Sequence, residues 1–416
     1  MTKSVFSAFS GLFILIIVCS LFAGYPQPQP GDVFREYTWF NVTGDAGGAL
    51  RVGGRVDYGG GGIELPHVFD LEHATRAEVI IEKILCHGST RGVAIQINTY
   101  PWILIPEADG IPEPQWEYQH HTYPVVAVPL AALKAGAGNA FKMKVDTTNH
   151  PWNWPQNLIY GVHFRIYYDP AQKAHPTGKL ISPPAGTTIG QTVQLEATAH
   201  SPNGKIQKVD FIGHYEDVNF EGDGHYRQWH FHYFHGELLH HLGSAVTAPF
   251  TCTWNTDWVP EQPEPIQIAV RISDETGLIY FTEPVTHLQL IRPDFHVELC
   301  KPYAVPSNWT TRQEHKQEFF DITGDLSQAV AAQLVWTSWC PCYMNGIYIN
   351  EQQVFDQEGP CYQYFAHRVT LTDLTPFRPG KNVLETGWKQ TNEKGEQIHG
   401  MEIQWPGIMV LIRYQK

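Results

Sequence analysis

The chain has 416 residues and so has room for two or three domains. Charged residues are only 17% against about 25% in ordinary globular proteins, aromatics reach 13%, and Gly (36) and Pro (30) abound, a composition of short strands and tight turns. The net charge of −14, with no block of basic residues, excludes a nucleic-acid role, which would need a Lys/Arg stripe, and makes an anionic polymer the less natural partner.

Residues 1–24 carry Lys3, an apolar run and small residues at Ala23 and Gly24. That is the pattern of a secretory signal peptide, followed by a proline-rich spacer over 25–31. The run is long enough that an uncleaved anchor is the rival reading. Lipidation at Cys19 is disfavoured, because Val18 stands where a small residue is wanted. The body of the protein is therefore expected to be secreted or at the cell surface, an address compatible with cell-envelope association. Six cysteines remain: Cys86, Cys252, Cys300, Cys340, Cys342 and Cys361. In an exported chain a bridge is expected between Cys361 and one of Cys340 or Cys342. The C-P-C run lacks the C-x-x-C spacing of redox and metal motifs.

The first unit is expected over 32–170. Y-T-W-F-N-V from Tyr37 reads as a strand. The glycine-rich passage after Gly44 lacks the Lys-Ser/Thr of a phosphate loop and reads as a turn. Strands are expected at A-E-V-I-I-E-K-I-L from Ala77 and G-V-A-I-Q-I-N-T-Y from Gly92. Next comes V-P-L-A-A-L-K-A-G-A-G-N-A-F from Val128: a strand end, a short helical turn tucking Leu130 and Leu133 under the sheet, and a Gly–Asn turn into a new strand. The unit closes on L-I-Y-G-V-H-F-R-I-Y-Y from Leu158, with Tyr160, Val162, Phe164 and Ile166 alternating on one face.

The second unit is expected over 178–291. I-S-P-P-A-G-T-T-I-G from Ile181, V-Q-L-E-A-T-A from Val193, K-V-D-F from Lys208 and a late D-E-T-G turn at Asp274 mark successive strands. This stretch resembles bacterial immunoglobulin-like domains, which implies a β-sandwich spacer and brings over no functional residue. It carries a histidine-rich insertion, 213–243. His230 and His232 alternate there as on one strand face. With His235 they are candidate metal ligands, although no spacing such as H-E-x-x-H is present.

The third unit is expected over 293–416 and repeats the first. V-T-L-T-D-L-T-P-F-R-P-G-K-N-V-L from Val369 copies the Leu-x-x-Leu…Gly…Asn pattern, I-Y-I-N from Ile347 parallels I-Q-I-N from Ile95, and F-F-D-I-T-G-D from Phe319 parallels F-N-V-T-G-D from Phe40. A hairpin turn is expected at Asn345-Gly346. Both outer units resemble the galactose-binding-like jelly roll of carbohydrate-binding modules, the first departing in lacking the Asn-Gly before I-Q-I-N. The expected architecture is all-β: jelly roll, immunoglobulin-like sandwich, jelly roll.

The resemblance implies glycan or polysaccharide as partner, bound on exposed aromatic faces. The candidates are the loop residues Trp102, Trp116, Trp152 and Trp154 in the first unit and Trp339 and Trp388 in the third. No cofactor is implied. Catalytic motifs such as G-x-S-x-G are missing. Acidic pairs such as Glu107/Asp109 and Glu113/Glu117 are the residues a glycosidase would need. A structural or adhesive protein, and a polysaccharide hydrolase or lyase working from the insertion, are the competing readings.

Overall fold

The computed structural model describes residues 28–40, 50–53, 56–57, 63–85, 90–107, 109–146 and 157–416. Residues 1–24, expected as a signal peptide, and Cys86, Trp152 and Trp154 lie outside the described residues. What is described is strand, loop and single-turn 3-10 helix, so the protein is all-β. Among the described residues no helix is long and apolar enough to cross a membrane.

The two outer units share one topology. In the first, the larger sheet runs Val33–Phe40, Asn157–Tyr168, Ala74–Leu85, Val125–Val128. In the third it runs Phe295–Cys300, Met409–Gln415, Ala329–Trp339, Tyr364–Leu371, the same order of equivalent strands. The opposing sheets also correspond. Ile63–Glu64, Ala140–Lys144, Ala94–Ile97, Ile103–Leu104 matches Lys316–Ile322, Gly380–Thr386, Ile347–Ile349, Gln352–Phe355. Each sheet pair encloses its own apolar core.

A pair of asparagines repeats with the topology. Asn139 Oδ1 accepts from the Lys134 N–H, and its amide donates to Lys134 O. Asn98 donates to Asn139 Oδ1 and to Ala132 O, and accepts from the Ala140 N–H. In the third unit Asn382 bonds both ways with Arg378. Asn350 donates to Asn382 Oδ1 and Pro376 O, and accepts from the Val383 N–H. The positive φ belongs to Asn98 (53°) and Asn350 (48°); Asn139 and Asn382 act through their side chains, beside Gly138 (81°) and Gly380 (75°).

Three details differ from expectation. Phe319 lies in Lys316–Ile322, the counterpart of Ile63–Glu64, while Phe40 ends a strand whose counterpart is Phe295–Cys300. That pairing of motifs therefore fails. The third-unit hairpin turns at Asn350–Glu351, both with positive φ as a type I′ turn requires, and not at Asn345-Gly346. The closing strand Asn157–Tyr168 is buried along its whole length, and its alternation breaks at a bulge between Ile159 and Gly161. An added residue reverses the side on which its neighbours point. Ile159, Val162, Phe164 and Ile166 enter the core, and Tyr160 turns the other way.

The middle unit does not hang on a linker. Val33–Arg35 pairs with Leu278–Tyr280, so its sheet and that of the first unit run on as one 14-stranded sheet. Much of the insertion is strand. Arg227–His230 returns along Ile206–Glu216, and His232–Phe234 pairs with Glu237–Leu239 in a hairpin turning at His235–Gly236. This hairpin packs on the outer face of the first unit's larger sheet: Phe231 and Tyr233 meet Phe34, Ile80, Tyr123 and Tyr167. Further along, Val218 packs with Val335, Met409 and Leu411 of the third unit. The expected bridge is Cys342–Cys361. Cys340 remains a buried thiol.

Candidate functional site

The small sheet of the first unit turns one face to solvent. Cross-strand pairing sets Lys144 opposite Ala94 and Ala94 opposite Leu104, with Lys142 opposite Gln96 on the next rung. Phe141 and Met143 point the other way, into the core, so Lys142 and Lys144 must point out. Trp102 precedes Leu104 by two residues and joins the same face. The result is an open groove of about 450 Å³ lined by Gly92, Ala94, Trp102, Leu104, Lys144, Val145 and Asp146. Ala94 is a small floor residue, Trp102 is 39% exposed and Leu104 is 66% exposed. Lys144 Nζ lies over one face of the Trp102 ring, 4.5 Å from its centre, a cation–π contact that a ligand on that face would displace. At the rim the Arg91 guanidinium lies 4.7 Å over Trp116, and Arg91 O accepts the Asp146 N–H. An apolar platform beside an ammonium and a carboxylate suits a ring with one apolar face and polar edges.

The other aromatic candidates are scattered. Trp388 is 41% exposed on the third unit, its carbonyl bonded by Asn345. Trp339 ends a strand and packs with Tyr160, Leu158, Phe234 and Tyr364 where three units meet. Tyr343 and Tyr362, next to the disulfide cysteines, meet hydroxyl to hydroxyl at 3.4 Å.

The candidate histidines do not converge. His230 lies 3.4 Å from Glu221 and 2.8 Å from Tyr215 O. Burial opposes its proton, but Glu221 and Asp217 hold it, raising its pKa to about 9. His232 packs edge-on to His240 and against Tyr123, and burial lowers it to about 3. His235 stacks on Tyr160, and its backbone N–H donates to Glu82 Oε1 at 2.9 Å. Among the described residues no group of three or more His, Cys, Asp or Glu could hold a metal ion.

Around Glu82 a different set gathers, one that sequence patterning did not mark. His163 Nε2 is 3.7 Å from Glu82 Oε2 and His121 Nε2 is 4.0 Å from Oε1. Glu82 and His163 are fully buried and His121 nearly so. His121 also meets Tyr364 of the third unit, ring centres 4.1 Å apart. The adjacent dipeptide His120-His121 was the available signal, but the loop holding it gave no partner. As for the acidic pairs, Glu107 is bound by Lys83 at 3.1 Å. Burial would raise its pKa, yet Lys83 and His120 hold it well below the carboxylate range, the reverse of what a general acid needs.

Comparison with known proteins marks the middle of the chain. Residues 176–268 match the family of bacterial Ig domains. The immunoglobulin-like unit thus follows the first unit directly. No curated protein matches the chain. Among solved structures, it is similar to fibronectin(III)-like modules of Clostridium thermocellum CbhA (16% identity, 49% of this chain and 80% of that one, TM-score 0.19). It is similar too to carbohydrate-binding modules of the β-sandwich superfamily (10%, 58% and 96%, TM-score 0.17). A DUF4785 family protein of Legionella pneumophila matches over 100% of this chain and 89% of its own (10% identity, TM-score 0.24). Of the glycoside hydrolase family 86 enzymes that also match, the chain spans 32% to 37%.

Proposed function

We propose that this is an exported, non-catalytic β-protein built from two jelly rolls flanking the immunoglobulin-like unit, and that it recognises glycan in the Trp102 groove of the first unit. The observation that carries this reading is the groove itself: a half-exposed indole in line with Leu104, next to Lys144 and Asp146, over a floor kept low by Ala94. A pyranose ring laid on Trp102 and Leu104 buries its apolar face, while Lys144 and Asp146 bond its hydroxyls. The groove lies on paired strands of the first unit, so it is a preformed surface and loses little entropy on binding.

The test is a glycan array followed by calorimetric titration of the best binder. Trp102→Ala should weaken binding about tenfold, or about 1.4 kcal/mol, and Lys144→Ala by less. Trp388→Ala should leave that affinity unchanged. If no glycan binds the intact chain, or binding is indifferent to Trp102, the reading fails. The continuous sheet between the first two units would then favour a purely structural or adhesive surface protein.

A further inference from the structure

We propose that the sugar taken by the Trp102 groove is acidic, a polysaccharide unit carrying a carboxylate or a sulfate ester. This deepens the reading of that groove as the glycan site and rests on it. The observation that carries it is where the exposed Lys144 stands. Among the described residues its ammonium has the Trp102 ring as partner and pairs with no carboxylate. A sugar laid on that face of the indole takes the ring away from the ammonium. A neutral sugar gives back only hydroxyl contacts. A carboxylate or sulfate on the sugar's edge gives back an opposite charge, and the flexible four-carbon stem lets the ammonium swing to it.

Lys144 is not the only cation on this surface. Lys142 lies on the same outward face of the strand Ala140–Lys144, two residues and about 7 Å away. Arg91 holds its guanidinium over Trp116 at the rim. The acid in the lining is Asp146, two residues beyond Lys144 and on the side away from Lys142. Its charge repels an acid group, so the acid edge of a bound ring is kept at the Lys144 and Lys142 end, and the hydroxyl edge is left to Asp146. The net charge of −14 made an anionic polymer the less natural partner. In physiological salt, however, charges more than about 8 Å apart are largely screened, so the cations within reach of the ligand decide, not the total for the chain. An ammonium is a point charge without the fork geometry of a guanidinium, so Lys144 accepts carboxylate and sulfate alike.

The test is calorimetric titration of the full chain with two probes, an oligogalacturonate and a sulfated galactan oligosaccharide. Each is compared with its neutral counterpart, the carboxyl-reduced and the desulfated sugar. At least one acidic probe should bind about fivefold tighter than its neutral counterpart. That advantage should shrink as salt is raised. Which probe shows it tells a carboxylate ligand from a sulfate one. Lys144→Gln should bring the acidic and neutral forms within about twofold of each other, and Lys144→Arg should keep the preference. Lys381→Gln removes an equal charge from the third unit, where Lys381 lies over Phe319, and should change nothing. Equal affinity for the acidic and neutral forms, with binding still dependent on Trp102, overturns the acidic assignment and leaves the groove a site for neutral sugar. A preference that survives Lys144→Gln overturns it as well. So does binding of neither form of either probe, and the glycan array then decides whether the groove reading falls with it.

Discussion

Glu36 shows how much depends on a single carboxylate. It sits on the strand Val33–Phe40, yet its oxygens receive Arg165 of the first unit at 2.7 Å, Arg271 of the immunoglobulin-like unit, and the Tyr233 hydroxyl of the insertion. Burial alone would raise its pKa; Arg271 and Arg165 outweigh that and lower it to about 2. A folded pKa below the unfolded one means stability that is complete above the unfolded pKa and is lost as pH falls toward the folded one. The ordinary value is 4.5, so the window runs from about 4.5 down to about 2, and the full contribution is about 3 kcal/mol. Urea unfolding should therefore show the wild type losing its advantage over Glu36→Gln as pH drops through that window. At pH 7 the variant should be less stable by about 3 kcal/mol, since it leaves the buried Arg271 with only the more distant Asp210 and Arg165 with only Glu78 as counter-charge. Parallel pH profiles for the two proteins would show that the stability lies elsewhere.

At the scale of elements, the Leu-x-x-Leu…Gly…Asn stretches were the most legible feature of the sequence, because turn chemistry is local. A glycine at positive φ and an asparagine closing its own loop are dictated by a few consecutive residues. What those residues could not reveal is the partner across the sheet. Asn98 and Asn350 lie about forty and thirty residues away from Asn139 and Asn382, a separation only the folded topology closes. The same limit misplaced the hairpin turn: Asn345-Gly346 has the favoured dipeptide, but Asn350–Glu351 has the strands around it. The bulge at Tyr160 was hidden for a related reason, since an unbroken run of strand-forming residues does not say where a residue is added. The repeated network makes a paired prediction. Asn382→Ala leaves the backbone groups of Arg378 and a buried Asn350 amide unsatisfied, and should cost about 1–3 kcal/mol. Asn139→Ala should cost a similar amount, because it removes the equivalent bonds. Thermal melts of both variants check this; a large effect in one and none in the other would break the equivalence.

For the whole molecule, the described residues form three apolar cores, and the contacts that join them were not legible in the sequence. The residues that join them come from distant segments. Glu36, Arg271 and Tyr233 make one contact, Glu82 and the His235 N–H another, and none forms a local motif. In the histidine-rich insertion, candidate metal ligands by sequence, His230 and His232 are buried and Phe231 is fully enclosed, because the insertion packs against both outer units. Units separated by flexible linkers melt independently, whereas units sharing a sheet and a buried ionic contact must lose them together. Scanning calorimetry of the full chain should accordingly give one transition over the described body, with calorimetric and van't Hoff enthalpies in agreement. The immunoglobulin-like unit expressed alone, residues 178–291, uncovers Phe231, Tyr233, Ile212 and Phe281, and leaves Arg271 without Glu36. It should melt well below the intact chain and bind a hydrophobic dye before it unfolds. Two resolved transitions in the full chain, one matching the isolated unit, would mean that the shared sheet and the buried contacts do not couple the units.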